Sequence, residues 1–403
     1  MSGQVKKVVL AYSGGLDTSV IIRWLKDKYG CQVIAFAADL GQGDDLRPLP
    51  HRAKAAGADK LIIKDLREEF AREFVLPALQ AHAVYEGKYL LATALSRPLI
   101  AKHLATIAKQ EGADAVAHGC TGKGNDQVRF EVTLAALAPG VTCLAPVREW
   151  ELKSRDEEIE YAERHGIPLP IKKKSPYSLD RNLWGISIEA GPLENPWTAP
   201  PEDAFVLTVS PERAPAKPAV VEIGFSRGTP VSLNGRRMGL VALIQNLNQI
   251  AGRHGVGRVD VVENRLVGIK SREVYESPAG TVLFAAHREV ESLVLDREMM
   301  HAKEAIGPRY AELVYYGLWY SPLREALDGF VRATQKQVTG TVRLKLYKGS
   351  VTVLGRKSPH SLYQEKLATY TAADLFDHTA AKGFIDIWGL PLKVRALVQK
   401  ARG

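Results

Sequence analysis

Apolar and polar positions follow two rhythms along the chain, and the rhythm changes before its middle. In the first part, short apolar runs alternate with segments of helical period. Val8–Tyr12 reads as a buried strand and Ser19–Tyr29 as an amphipathic helix ended by Gly30. Val33–Ala37, Leu61–Ile63, Ala115–Ala117 and Leu144–Val147 predict further strands, with helical segments such as Glu68–Ala78 and Pro98–Gln110 between them. This alternation predicts an α/β fold: a parallel sheet with helices on both faces. Ligands of such sheets lie outside the carboxyl ends of the strands. The turns Ser13–Ser19, Asp39–Asp45 and His118–Arg129 are therefore expected along one rim, converging on one pocket.

A proline-rich basic connection, Gly166–Pro176, and a second proline cluster, Pro192 to Pro201, precede a different pattern. Ala219–Phe225 and Pro230–Leu233 read as strands. Gly239–Ala251 carries Leu240, Leu243, Ile244, Leu247 and Ile250 on one helical face. Val342-Leu344-Leu346 and Val351-Val353 flank Lys348-Gly349, a hairpin signal. The expected division is an α/β domain over 1–168, an α+β domain over 175–360 and a helical tail over 361–403. Apolar Phe384, Ile385, Ile387, Trp388 and Leu390 in that tail pack either on the chain's own body or on another subunit.

Composition narrows the partners. The 403 residues hold 54 Lys and Arg against 45 Asp and Glu, a formal net charge of +9. The basic residues are scattered, Lys172-Lys173-Lys174 being the only compact run, with no stripe interleaved with aromatics. Anionic small substrates are expected rather than nucleic acid. No apolar run approaches the ~20 residues that span a bilayer, and Met1–Lys7 is too short and polar for a signal peptide. Cys31, Cys120 and Cys143 lie far apart without a CxxC pair, so neither a disulfide framework nor a zinc site is expected, and a cytoplasmic location fits.

The candidate chemistry starts at Ser13-Gly14-Gly15-Leu16-Asp17-Thr18-Ser19, directly after the first strand. Adjacent glycines let backbone amides approach an anion, and a helix starting near Thr18 turns its positive end to the same point. Ser13, Thr18 and Ser19 add hydroxyls; Asp17 can cap the helix or face a metal. No Gly-Lys-Ser/Thr closes the loop and no three-glycine dinucleotide spacing is present. The string resembles instead the pyrophosphatase (PP) loop of ATP enzymes that release pyrophosphate and adenylate an acceptor. That resemblance brings in ATP. A second block, His118 to Glu131, sets three glycines among polar side chains. There Asn125 can donate and accept, Asp126 can hold an ammonium, and Arg129 can fork onto a carboxylate.

With these blocks, the chain resembles the argininosuccinate synthase family nearly end to end. The resemblance runs through Ala11–Ser19, Tyr85–Tyr89, Ala117–Glu131, Tyr177–Gly185, Val262-Glu263-Asn264-Arg265, Gly268–Glu276 and Leu293 with Asp296-Arg297. It implies that ATP adenylates the ureido oxygen of citrulline, and that the aspartate amine then displaces AMP. It implies an ATP site at Ala11, Tyr12, Ser13, Gly14, Gly15, Leu16, Asp17, Thr18, Ser19, Ala38 and Gly119. Aspartate falls to Thr121, Asn125 and Asp126; citrulline falls to Tyr89, Asn125, Arg129, Ser178, Ser187, Glu263 and Tyr275. Asp17, Asp126 and Arg129 are the catalytic candidates. Mg²⁺ is expected to travel with ATP rather than on protein ligands, and a homotetramer with swapped C-terminal helices is implied. Many relatives carry serine where this chain has Ala94, a place Thr93 or Ser96 can fill, and Ala279 stands where glycine is frequent. Cys120 reads as a small buried thiol. The main rival is a tRNA-thiolating PP-loop enzyme, which usually needs paired cysteines.

Overall fold

The computed structural model describes residues 5–43, 46–152, 154–168, 176–371 and 373–402. Asp44-Asp45, the Lys172–Lys174 run and most of the Gly166–Pro176 connection lie outside the described residues. Val8, Val9 and Leu10 are buried completely, the mark of a strand covered on both faces. They form β1 (Lys7–Ala11), the middle of a parallel sheet with β2 (Gln32–Asp39), β3 (Lys60–Asp65), β4 (Ala115–Ala117) and β5 (Thr142–Leu144), in the order β3-β2-β1-β4-β5. The predicted fifth strand is set too late. It ends at Leu144, and Pro146, which has no N–H for a ladder, opens the helical turn Pro146–Glu149.

The first helix runs Leu16–Tyr29, starting before Thr18 because Gly15 already serves as its N-cap; Gly30, left-handed at φ 62°, ends it as expected. The helix expected at 68–78 is interrupted. Pro77 cannot donate, and the backbone widens to a π-turn over Phe70–Val75 before resuming at Leu76–Gln80. The helix expected from Pro98 reaches back to Ala92 and runs to Glu111 with Pro98 inside it, since Ala92 to Ser96 are buried against the body.

The second part is built on antiparallel sheets. Its strands are β6 (Ser178–Asn182), β7 (Gly185–Glu189), β8 (Ala219–Ser226), β9 (Thr229–Leu233), β10 (Arg236–Arg237), β11 (Arg258–Asn264), β12 (Lys270–Glu276), β13 (Gly340–Tyr347) and β14 (Ser350–Lys357). They pair as β11-β12-β7-β6 and β10-β9-β8-β13-β14. The predicted hairpin is β13–β14, whose Lys348 and Gly349 have φ of 45° and 83°. Helix Leu240–Arg253 buries Leu240, Leu243, Ile244 and Leu247, the expected face. Phe36 and Tyr89 of the first part share one core with Trp184 and Tyr275 of the second.

The chain divides into two compact units, Met1–His360 and Ser361–Gly403. The second contains helices His378–Trp388 and Leu390–Lys400, the first capped by Asp377, which accepts the Thr379 amide at 2.9 Å. Phe384, Ile385, Ile387, Trp388 and Leu390 are exposed. Among the described residues, no helix is long and apolar enough to cross a membrane.

Candidate active site

The Tyr12 amide still donates to Phe36 of β2 at 2.8 Å, so the chain leaves the sheet only at Ser13. Gly14 turns it with φ 78°, and a Cβ there would overlap Leu49 Cδ2. Ser13 Oγ accepts the Gly15 amide at 3.3 Å and meets Thr18 Oγ1 at 3.1 Å, bracing the turn. No described side chain caps the helix at Gly15. Its first-turn amides and positive dipole end are therefore left for an anion.

A cleft of about 1620 Å³ opens over this loop. Ala11 to Thr18 and Ala38 line one side, Gly119, Thr121, Asn125, Asp126 and Arg129 another, so the expected rims do converge. The antiparallel sheet β11-β12-β7-β6 supplies the far wall with Ser178, Ser187, Glu263 and Tyr275, beside Tyr89. Ser19 is the exception. It is buried, its hydroxyl donating to Gly15 O at 2.7 Å and meeting Tyr12 Oη at 3.2 Å, and it stabilises the loop from beneath.

Asp17 does not cap the helix. It faces Glu158 of helix Arg155–Arg164, whose buried Oε2 has no hydrogen-bond partner among the described residues. Burial and the Asp17 charge push Glu158 up to about 8. Two facing carboxylates beside a phosphate loop are a donor set that suits a hard divalent cation.

Charged groups alternate along the second rim. Asp126, first in helix Asp126–Leu137, accepts from Arg129 Nη1 at 2.8 Å and from Arg97 Nε at 2.8 Å; Arg97 also bonds Asp180. Burial alone would raise Asp126, but the Arg97 and Arg129 guanidiniums outweigh it and hold the carboxyl below its usual range. Asp180, half-buried, is pushed up by desolvation and by the Asp126 charge despite Arg97. Arg129 Nε donates to Tyr315 O at 3.0 Å, while its buried Nη2 has no partner among the described residues. A desolvated guanidinium N–H without an acceptor is a seat for a carboxylate.

Glu263 is buried, 1% exposed. Its Oε1 accepts from Tyr315 Oη at 2.5 Å and its Oε2 from Tyr275 Oη at 2.6 Å. Asn125 Nδ2 donates to Tyr315 Oη at 2.8 Å, and Asn125 Oδ1 accepts the Leu266 amide at 2.8 Å, so Asn125 ties this wall together. Tyr89 stacks on Tyr275 at 4.0 Å between ring centres, and its hydroxyl accepts the Thr93 and Ala94 amides at 3.0 and 3.3 Å.

Thr93, not Ser96, supplies a hydroxyl to the cleft beside Ala94. Thr93 Oγ1 meets Ser187 Oγ at 2.7 Å, whereas Ser96 Oγ donates back to Thr93 O at 2.8 Å. Ala279 sits in helix Pro278–Val294 with its amide on Asn248 Oδ1 at 2.9 Å, in a backbone conformation that does not need glycine. Cys120 is half-buried rather than buried, a free thiol on the rim.

Sequence reading left Thr93 and Ser96 as alternatives, of which the structure selects Thr93, and passed over Arg97, Glu158, Asp180, Arg265, Glu273 and Tyr315. Asp180, Arg265 and Glu273 lie inside motif blocks already singled out. Arg97, Glu158 and Tyr315 lie on helices without local signature; folding brings Arg97 to the cleft itself, Glu158 to Asp17, and Tyr315 to Asn125 and Glu263.

A parallel sheet whose first strand turns through Ser-Gly-Gly-Leu-Asp-Thr-Ser into a helix, with charged rims at the strand ends, defines the PP-loop class of nucleotide-binding enzymes. The family model "Arginosuccinate synthase N-terminal HUP domain" matches residues 7–168, and "Arginosuccinate synthase C-terminal domain" matches residues 177–395. The chain belongs to the argininosuccinate synthase family. It is 61% identical over 398 residues to the argininosuccinate synthase of Symbiobacterium thermophilum, covering 98% of this chain and 99% of that one. The Bacillus licheniformis enzyme of that name is 60% identical over 397 residues, 98% of each chain. That of Desulfitobacterium hafniense strain DCB-2 is 58% identical over 399 residues, 99% of this chain and all of that one.

Proposed function

We propose that this protein joins citrulline and aspartate at the expense of ATP, forming argininosuccinate, AMP and pyrophosphate in arginine biosynthesis. The observation that carries the reading is one cleft holding both a phosphate loop and an alternating Arg/Asp/Glu rim suited to amino acids. The amides after Gly15 receive the β,γ-phosphates, with Ala11 to Thr18, Ala38 and Gly119 around the nucleotide. Arg129, through its free Nη2, takes the citrulline carboxylate. Glu263 takes its ammonium or ureido N–H, and Tyr89, Ser178, Ser187 and Tyr275 complete its site. Asp126 and Thr121, with Asn125 behind them, orient aspartate. The ureido oxygen attacks the α-phosphorus and pyrophosphate leaves; the aspartate amine then attacks the activated carbon and AMP leaves. Both nucleophiles belong to substrates, so alignment supplies much of the acceleration. Asp17 and Glu158, together with the ATP phosphates, would hold Mg²⁺, which would supply charge neutralisation to the departing pyrophosphate.

Residues 1–168 serve as the nucleotide-binding part, 175–360 as the synthetase part, and 361–403 as an oligomerisation arm of a cytoplasmic homotetramer. The exposed apolar face of Phe384 to Leu390 supports that last role; a solution mass measured by light scattering tests it. A tRNA-thiolating reading is disfavoured by the thiols Cys120, on the rim, and Cys143, in β5. Burial pushes Cys120 and Cys143 up, Cys143 to about 12, so neither is the thiolate that such chemistry needs. The deciding assay is pyrophosphate and AMP release with each substrate omitted in turn. Release should require both citrulline and aspartate; equal turnover without citrulline would overturn the reading.

A further inference from the structure

The wall behind Glu263 has more acceptors than protons. Tyr275 Oη lies 2.6 Å from Glu263 Oε2 and 2.8 Å from Glu273 Oε2, yet a phenol carries one hydrogen. With both glutamates ionised, one of these short contacts would join two lone pairs. One carboxyl must therefore donate. Glu263 accepts on its other oxygen from Tyr315, whose own oxygen receives the Asn125 amide, so that hydroxyl proton is committed to Glu263.

Glu273 is the group with the crowded field. It is largely but not fully buried on β12, near Glu263 of β11 and Glu189 of β7. The nearby cation, Arg265, is shared: its Nη2 reaches Glu189 at 2.5 Å and Glu273 Oε1 at 2.9 Å, so one guanidinium nitrogen serves two carboxyl groups. Burial first, then the charges of Glu263 and Glu189, push Glu273 up to about 8.

We propose that Glu273 acts as a neutral carboxylic acid, a positioning residue that donates its proton to the Tyr275 hydroxyl so that Tyr275 in turn donates to Glu263. Every group is then matched: Glu273 Oε1 accepts from Arg265, Glu273 Oε2–H donates to Tyr275, and Glu263 accepts from two phenols. The device keeps a single carboxylate aimed at the substrate and fixes its orientation. No bond to substrate is made by Glu273 itself. The role in citrulline binding rests on the function proposed above; the proton on Glu273 does not.

Two readouts separate these. Infrared difference spectra of ligand-free wild type and E273Q should show a protonated-carboxyl carbonyl band at pH 7 that E273Q lacks and that fades in wild type as pH rises through about 8. Identical spectra at pH 7 would overturn the proposal, whatever the enzyme's substrate. In turnover, glutamine can still donate to Tyr275, so E273Q should keep the citrulline KM within about threefold of wild type. E273A should raise it about tenfold or more, the size expected when a buried hydroxyl loses a partner. A fixed anion at this position would make E273Q as damaging as E273A. If wild type forms no argininosuccinate, the assigned reaction fails while the infrared test stands.

Discussion

Arg129 and Asp126 form a 2.8 Å ion pair one helical turn apart, although the proposed reaction gives them to different substrates. Each has a second anchor: Asp126 on Arg97, Arg129 on the Tyr315 carbonyl. The pair thus holds both groups in place, and loss of either disturbs two sites unequally. Asp126→Ala should lower kcat/KM for aspartate by about 30-fold to 1000-fold, the range for truncating one member of a hydrogen-bonded, largely desolvated charge pair. The citrulline KM should rise less, and the ATP KM should stay within about twofold if loop and rim are independent. Steady-state kinetics in each substrate check this; unchanged aspartate kinetics would remove Asp126 from its assigned role.

Tyr315 stacks on Tyr85 with ring centres 3.6 Å apart, and the Arg129 guanidinium lies 4.8 Å from its ring centre. Phenylalanine keeps both contacts and deletes only the hydroxyl between Asn125 and Glu263. Tyr315→Phe should therefore melt like wild type while kcat/KM for citrulline falls about tenfold to 100-fold, in line with about 1–3 kcal/mol for unsatisfied buried partners. A substantial loss of melting temperature with normal citrulline kinetics would mean the hydroxyl is structural.

Gly14 is constrained twice, by φ 78° and by Leu49 Cδ2, which occupies the space a methyl group on its α-carbon would need. Gly14→Ala should raise the ATP KM by about tenfold or more, since about 1–3 kcal/mol of backbone strain falls on the anion-binding turn. Adding Leu49→Ala clears the overlap but leaves the dihedral strain, so the double variant should recover only in part. Full recovery would show that space, not backbone conformation, is what glycine provides.

The parallel sheet is legible in sequence because Val8 to Leu10 and Val33 to Ala37 are short apolar runs cut by glycine turns. The phosphate loop is legible because glycines and hydroxyls there satisfy no packing need. Ala145-Pro146-Val147 extends the apolar look of β5, yet proline ends the ladder. Ala92 to Ser96 lacks a one-sided apolar stripe because it is buried all round, so its helix is hidden from periodicity. Tyr315 reaches Asn125 across 190 positions, a contact with no local signature. Charged partners such as Arg97 and Glu158 sit on ordinary helices and gain meaning only from what folding sets opposite them.

His287 offers a pH test away from the reaction. It is fully buried, with Nε2 on Gln335 Oε1 at 2.9 Å and Nδ1 on His82 Nε2 at 2.8 Å. Glu291 beside it is already bound by Lys303 at 2.6 and 2.7 Å, so this His-His-Glu cluster is an ion-paired network. Burial, outweighing the Glu291 charge, pushes His287 down to about 4. Between that value and the ordinary 6.5, the unfolded chain binds the extra proton. This stability is present above pH 6.5 and is lost as pH falls toward 4, by up to about 3 kcal/mol. The melting temperature of His287→Gln should fall less than wild type over that interval. Parallel curves would assign the acid sensitivity elsewhere.

Thr93 lies next to Ala94, where many relatives present a serine, and its hydroxyl meets Ser187 at 2.7 Å in the cleft. Thr93→Val keeps the shape and removes that partner, leaving the Ser187 hydroxyl without its contact in a buried wall. The citrulline KM should rise about fivefold to 30-fold, equivalent to about 1–2 kcal/mol, while the ATP and aspartate KM values hold. Thr93→Ser, which keeps the hydroxyl, should stay within about twofold of wild type, since the loss of one methyl leaves the polar contact intact. A Thr93→Val enzyme with unaltered citrulline kinetics would show that this chain has dispensed with a hydroxyl on that side of the site.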